Sequence, residues 1–265
     1  MVFLKKVLKF LKIKYAILTK NVDNNVEQQK VLFDSIGLNR DLALDKLNSI
    51  FSLDLKISYD ENVGMFSEHL VLFSAFALSG QQVKNILEIG TFDGLTTRIL
   101  SKLFTTSEIF TIDLPESTFD FINNYNRKND LDNFIIKRDR NLKSSKNINF
   151  KQMNSCFLCF ETKKFDLIWV DGAHGYPVVA FDIINAIRLC NSGGLILIDD
   201  VYVTVGNSDS FYQSIAAYQV LQSLKAASVI SDFKLIPKRI APEYNLKEDR
   251  KFVALINQSS IIKVF

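Results

Sequence analysis

The stretch Ile86-Leu87-Glu88-Ile89-Gly90-Thr91-Phe92-Asp93-Gly94 limits what this chain can fold into more than any other segment. Its first residues read as a buried strand, and the chain then breaks into a glycine-containing turn before a helix that starts near Leu95. Glycines at 90 and 94 permit unusual dihedrals and a close approach to a ligand, while the helix start offers unpaired N–H donors. A dinucleotide turn needs Gly-x-Gly-x-x-Gly so that a pyrophosphate can touch the backbone. Here Thr91 and Phe92 intervene, and Asp93 would repel that anion. A cationic sulfonium cofactor fits the turn better.

Around this segment the pattern alternates. Strands are expected over 85–89, 108–112, 148–153, 166–170 and 195–198, with helices over 95–103, 117–125 and 177–189. Strands that alternate with helices mean a parallel sheet. Asn191 to Gly194 read as a turn, and a helix is expected over about 215–227. The runs FKLIPKRI and KFVALINQ then suit an antiparallel hairpin at the sheet edge. Before the glycine turn, SEHLVLFSAFALS reads as a long apolar helix ended by Gly80, and residues 21–60 as cap helices. The expected fold is α/β, a doubly wound and mostly parallel sheet with a C-terminal antiparallel edge hairpin and N-terminal cap helices. Residues 1–63 would hold a basic amphipathic helix and the cap, and 64–265 the catalytic domain. The basic segment 127–146 breaks the rhythm and reads as an exposed insertion, either a solvated loop or a contact for an acidic or phosphate-bearing substrate.

With 48% hydrophobic and 23% charged residues the chain can bury a core, which removes any case for global disorder. A net charge of +3 is too small to argue for nucleic acid. Cys156 and Cys159 lack the second ligand pair that a zinc site needs, and their apolar neighbours suggest a short buried helix. Unpaired cysteines suit a reducing cytoplasm. At the N-terminus Leu4, Val7, Leu8, Leu11, Tyr15 and Leu18 fall on one helical face, with Lys5, Lys6, Lys9 and Lys12 opposite. The lysines interrupt any leader-like or membrane-spanning run. Such a helix docks on its own domain or on a second copy in a homo-oligomer, or lies peripherally on the anionic inner membrane surface.

Asp113 closes the second strand 19 residues after Gly94, where an acidic side chain can accept both ribose hydroxyls. An ordinary loop-facing carboxylate is the alternative, as a capping or salt-bridged role is for Glu88. The blocks ILEIGTFDG, EIFTIDL, FDLIWVDGAHGY and GGLILIDDV occur in this order. In order and spacing they resemble class I S-adenosylmethionine-dependent methyltransferases over about residues 64–257. Within that class the chain most resembles the metal-dependent catechol-type and sugar-directed O-methyltransferases. The resemblance implies a Rossmann-like fold in which Glu88, Gly90 and Gly94 hold the methionine end of S-adenosyl-L-methionine. It also implies that Asp113 holds the ribose and Asn154 with Ser155 the adenine, with Thr91 and Asp171 lining the same site. Many relatives carry an acidic residue at the position of Asn154, whose uncharged carbonyl accepts the adenine amino group more weakly.

Asp171 ends one strand, and Asp199 with Asp200 ends the next. Ligands gather at the carboxyl ends of strands in such sheets, so these carboxylates should converge. An acidic, oxygen-only cluster suits Mg²⁺ or a similar hard cation. The alternative is that Asp199 and Asp200 cap loops or pair with Lys or Arg. A metal at Asp171, Asp199 and Asp200 would bind two neighbouring substrate oxygens and lower the pKa of one hydroxyl. His174 is the expected general base with Asp171 beside it, unless its ring only fixes the turn. The motif of base-directed amino methylases is absent, so a small molecule with neighbouring hydroxyls, sugar or catechol-like, is the expected acceptor. The loop from Val203 to Tyr212 has the make-up of a lid. An RNA or phosphosugar methyltransferase, and a non-catalytic module that binds the cofactor, are the rival readings.

Overall fold

The computed structural model describes residues 26–56, 59, 68–204, 214–238 and 250–262. The lysine-lined N-terminal stretch and most of the expected lid, from 205 onward, lie outside the described residues. Seven strands form one sheet in the order β3-β2-β1-β4-β5-β7-β6. They are β1 (Asn85–Ile89), β2 (Glu108–Asp113), β3 (Ile148–Gln152), β4 (Phe165–Val170), β5 (Cys190–Tyr202), β6 (Lys234–Pro237) and β7 (Lys251–Asn257). β1 to β5 run parallel, and β7 pairs antiparallel with both β5 and β6. This is the Rossmann-like arrangement with an antiparallel edge hairpin.

The central strands are apolar at nearly every position because both faces of the sheet are covered. On one face Ile86, Leu167, Trp169 and Leu197 pack with Phe33, Leu47, Phe51 and Phe73 of the N-terminal helices. On the other face Ile168, Val170, Ile196 and Ile198 pack with Ile183 and Leu221. Neighbouring strand residues thus serve opposite cores, as the period of two requires.

The helices are α1 (Val26–Asp34), α2 (Arg40–Ser49), α3 (Glu68–Leu78), α4 (Leu95–Leu103), α5 (Phe119–Asn123), α6 (Leu131–Leu142), α7 (Val178–Leu189) and α8 (Ala216–Ala226). A helix as apolar as α3 must be buried on all sides, and its residues from Glu68 to Phe76 are. Gly80 follows it at φ +77, the left-handed conformation of a helix end. The one charge on α3, Glu68, meets the Arg40 guanidinium of α2 at 2.6 and 3.1 Å, with both side chains 1% exposed. The Ser74 hydroxyl adds a bond to the Ala43 carbonyl at 2.7 Å. These contacts fix the cap helices to α3.

Three local expectations are corrected. The basic segment is no insertion: α6 is the crossover that two parallel neighbours, β2 and β3, require. Its Arg138 is buried over the Phe150 ring at 4.8 Å and bonds Glu116 and Asp139 at 2.5 and 2.7 Å. Arg127, just before it, is buried over the rings of Phe92, Phe121 and Phe134 at 5.2, 4.4 and 4.7 Å. These two arginines therefore serve the fold, a role that a count of lysines and arginines does not reveal, while Lys128, Lys137, Arg140, Lys143 and Lys146 are exposed. Second, residues 191–194 belong to β5, where the register shifts instead of breaking into a turn. Third, residues 155–160 form a 3₁₀ turn with only Leu158 buried, while Phe157 and Phe160 are exposed.

Removal of one partner from a buried ion pair strands the other charge, at a cost of about 3–5 kcal/mol. Glu68→Ala should lower unfolding stability in urea by about that amount, whereas Arg40→Met with Glu68→Met should recover most of it.

Candidate active site

The glycine turn after β1 owes its shape to the packing of β1 on β4. Gly90 lies at φ +101, and a Cβ there would sit 2.1 Å from the Asp171 carbonyl oxygen. The Asp171 N–H in turn donates to the Ile89 carbonyl at 2.8 Å. A side chain at 90 would push the two loops apart, so the glycine is required by the protein itself as well as by close ligand approach.

Beneath the turn Glu88 is fully buried. Its Oε2 accepts from the Thr97 hydroxyl and, at 2.6 Å, from the Thr111 hydroxyl. The Thr91 and Thr111 hydroxyls are 2.6 Å apart, so Thr91 braces this network from the turn. Burial pushes the Glu88 carboxyl up to about 7, against the pull of the two threonines. Its Oε1 is buried without a hydrogen-bond partner. A buried acceptor left open is the feature expected where a ligand ammonium docks.

Asp113 stands at the end of β2. Its Oδ2 accepts from the Phe92 N–H at 2.9 Å and Oδ1 from the Leu114 N–H at 2.8 Å. Each carboxylate oxygen keeps a second lone pair, so two hydroxyls can still be received. Burial raises the Asp113 pKa while Arg127 opposes the shift. Asn154 is exposed, and its side-chain oxygen already caps the 3₁₀ turn by accepting from the Cys156 N–H at 2.9 Å. Ser155 is half-buried beside it.

The second group of residues lies at the ends of β4 and β5. The pairing of β5 with β7 shifts register between Ile198 and Val201, and Asp200 lies at φ +49. Consecutive strand side chains normally point to opposite faces. At this bulge both carboxylates instead reach one ammonium. Lys238 Nζ lies 2.7 and 2.9 Å from the two oxygens of Asp199 and 2.6 Å from Asp200 Oδ1. Lys251 bonds the other oxygen of Asp200. His174 Nε2 is 3.8 Å from Asp171 Oδ1 and 4.0 Å from Asp200 Oδ2, and its side chain is 8% exposed.

The charges answer to these neighbours. Burial, then Asp199 and Asp200, raise Asp171 well above the usual carboxylate range. For Asp200 burial acts upward, but Lys238, His174 and Lys251 outweigh it and hold the carboxyl well below that range. Burial acts to lower Lys238, yet Asp199 and Asp200 keep it firmly protonated. Burial also lowers His174, so its imidazole is neutral at neutral pH.

The three acidic residues thus converge as expected, and Asp199 and Asp200 pair with lysines, the alternative to a metal site. Arranged this way they do not fit a divalent cation, because two ammonium groups occupy the oxygens that would bind it. Among the described residues no group of three or more His, Cys, Asp or Glu side chains is placed to hold a metal. Sequence reasoning missed Lys238 and Lys251, which lie 38 and 51 residues beyond Asp200. Their only sequence signal was position: one follows the first edge strand and the other begins the second. It also missed His69, which stacks on Trp169 at 5.1 Å from α3, beneath the same strand ends.

A model of a methyltransferase-domain family matches residues 87–201, the stretch from the cofactor turn through the acidic pair. A search among curated proteins finds no significant match. Among solved structures the fold is similar to the O-methyltransferase TomG from Streptomyces achromogenes, involved in tomaymycin synthesis and solved with S-adenosylmethionine. The likeness is 17% identity over 86% of this chain and 95% of that one, with a TM-score of 0.52. A candidate O-methyltransferase from Klebsiella pneumoniae is similar at 16% identity over 87% of this chain and 98% of that one, with a TM-score of 0.51. Residues 87–201 thus match a methyltransferase-domain family, and the sheet order is that of a Rossmann-like methyltransferase fold. No described helix is long and apolar enough to cross a membrane.

If Glu88 Oε1 receives the cofactor's ammonium, that contact favours the ionised carboxylate. Cofactor affinity should then weaken as pH falls through about 7, the value to which burial pushes Glu88. Calorimetry from pH 6 to 8 should show this slope, and Glu88→Gln should flatten it while weakening binding roughly 10- to 100-fold.

Proposed function

We propose that this enzyme methylates a hydroxyl oxygen of a small molecule, with His174 as the base. The observation that carries the reading is the neutral, nearly buried His174 imidazole between Asp171 and Asp200, beside the cofactor turn. A small polar acceptor with neighbouring hydroxyls, sugar-like or catechol-like, suits a site lined by carboxylates and ammonium groups. The likeness to TomG, itself an O-methyltransferase, is in keeping with oxygen as the target.

The fit of the cofactor rests on the open Oε1 of Glu88 and the spare lone pairs of Asp113. In the proposed arrangement Glu88 holds the ammonium, Gly90, Thr91 and Gly94 shape the turn, and Asp113 holds the ribose. Asn154 and Ser155 lie toward the adenine; with its own oxygen engaged in a cap, Asn154 has its amide N–H groups to offer. S-adenosylmethionine, when bound, supplies an electrophilic methyl group, and the electrons of the broken C–S bond stay on sulfur. His174 Nε2 takes the hydroxyl proton as the acceptor oxygen forms its new bond to carbon, and the imidazolium then gives that proton to solvent. Asp200, kept ionised by its lysines, stabilises the transient imidazolium, with Asp171 beside the ring on the other side. The residues do not fit a divalent ion, so no step runs through one.

Arg127 and Arg138 are spent on internal packing, whereas Lys128, Lys137, Arg140, Lys143 and Lys146 stay exposed, so the RNA and phosphosugar readings remain the rivals to a small neutral acceptor. A homo-oligomer or membrane contact through the N-terminal stretch stays a proposal, tested by deletion of residues 1–20 and measurement of oligomeric state and vesicle binding.

The decisive experiment is mass spectrometry of a metabolite extract incubated with the enzyme and isotopically labelled S-adenosylmethionine; label appearing only on nitrogen would overturn the oxygen assignment. With an acceptor in hand, His174→Ala should lower kcat by roughly 100-fold or more and leave cofactor affinity near wild type. A base must be neutral, so the rate should be full above the His174 pKa and fall as pH drops through it. Burial holds that pKa below the ordinary histidine value of about 6.5. Asp113→Ala should weaken cofactor binding by at least 10-fold in calorimetry, because hydrogen bonds to a charged acceptor are lost.

A further inference from the structure

We propose that Lys238, supported by Lys251, is a built-in counter-cation that occupies the place of a divalent metal at the ends of β4 and β5 and closes the site to such ions. The inference rests on the methyltransferase reading above but concerns ion binding, which can be measured without any acceptor.

The geometry is specific. An ammonium has three N–H donors. Those of Lys238 face three carboxylate oxygens at 2.6, 2.7 and 2.9 Å, from Asp199 and Asp200 together. Its side chain is 10% exposed, and that of Asp199 is 7%. The fourth oxygen of the pair, Asp200 Oδ2, bonds Lys251 and faces His174 at 4.0 Å. A hard cation needs several free oxygens around it, and here every oxygen of the adjacent pair already has a positive partner.

The lysines are held as firmly as the carboxylates. The Lys238 N–H donates to the Lys251 carbonyl at 2.9 Å, so the two residues face each other across the start of the edge hairpin. Pro237 pairs with Phe252 one step further in. The hairpin brings both ammonium groups over the β5 bulge, which turns both carboxylates toward them. Lys238 is therefore a positioning residue. It fixes Asp200, which faces the base, and its donors are spent on the two carboxylates, so it acts on the acceptor only through them.

The test is titration of the purified full chain with Mn²⁺, followed by electron paramagnetic resonance, and with Mg²⁺, followed by calorimetry, with and without S-adenosylmethionine. The wild-type protein should show no saturable ion binding up to millimolar concentration, and its thermal midpoint should be the same in EDTA and in Mg²⁺. The variant Lys238→Gln with Lys251→Gln frees the carboxylates and should gain saturable Mn²⁺ binding, which Asp199→Asn in that background should abolish. A merely structural lysine would give no such gain. Saturable Mn²⁺ binding by the wild type that Asp199→Asn removes would overturn the proposal. So would a folded double variant that binds no ion. If the double variant does not fold, the wild-type titration decides alone. Failure of the methyltransferase reading would appear separately, as absence of cofactor binding.

Discussion

The contact on which the site depends is the approach of β1 to β4 at Gly90. The Asp171 carbonyl occupies the space where any side chain at 90 would begin. That contact presses the glycine turn, the proposed cofactor seat, against the loop carrying Asp171 and His174, the proposed base. The β4 register follows: Ile89 pairs with Val170, and Asp171 takes the next position along. From there the pairing of β4 with β5 sets Asp199 and Asp200 beside Asp171. A single glycine thus ties together the two halves of the chemistry through backbone geometry.

Much of this was legible in the residue pattern because strong periodicity and burial coincide. The strands β1, β2 and β4 are short apolar runs closed by Gly90, Asp113 and Asp171, and the sheet buries them on both faces. Two kinds of information were hidden. Arg127 and Arg138 look like solvated charges in sequence, yet rings from three other segments surround them, a fact that belongs to tertiary packing. Lys238 and Lys251 were hidden for a related reason. A charge's partner is chosen by strand order, and the β5-β7-β6 order carries residues far along the chain back onto Asp199 and Asp200.

The N-terminal helices do more than cover one face of the sheet. The Arg40–Glu68 pair anchors α3, and α3 carries His69 and Phe73 to Trp169. The cap therefore supports the floor under Asp171, two residues beyond Trp169. The edge hairpin acts at the opposite end of the same site, through its lysines. Elements that sequence alone assigns to the periphery thus set the electrostatics and the packing of the centre.

Trp169 is the only tryptophan in the chain. It is fully buried, stacked on His69 with an interplanar angle of 22° and met edge-on by Phe73. Burial pushes the His69 pKa down to about 4, so its imidazole stays uncharged over the working range of most proteins. Excitation selective for indole therefore reports on a single buried ring, two residues from a proposed active-site carboxylate. Such indole emission is an optical signal from the floor beneath the proposed site, free of averaging over several tryptophans.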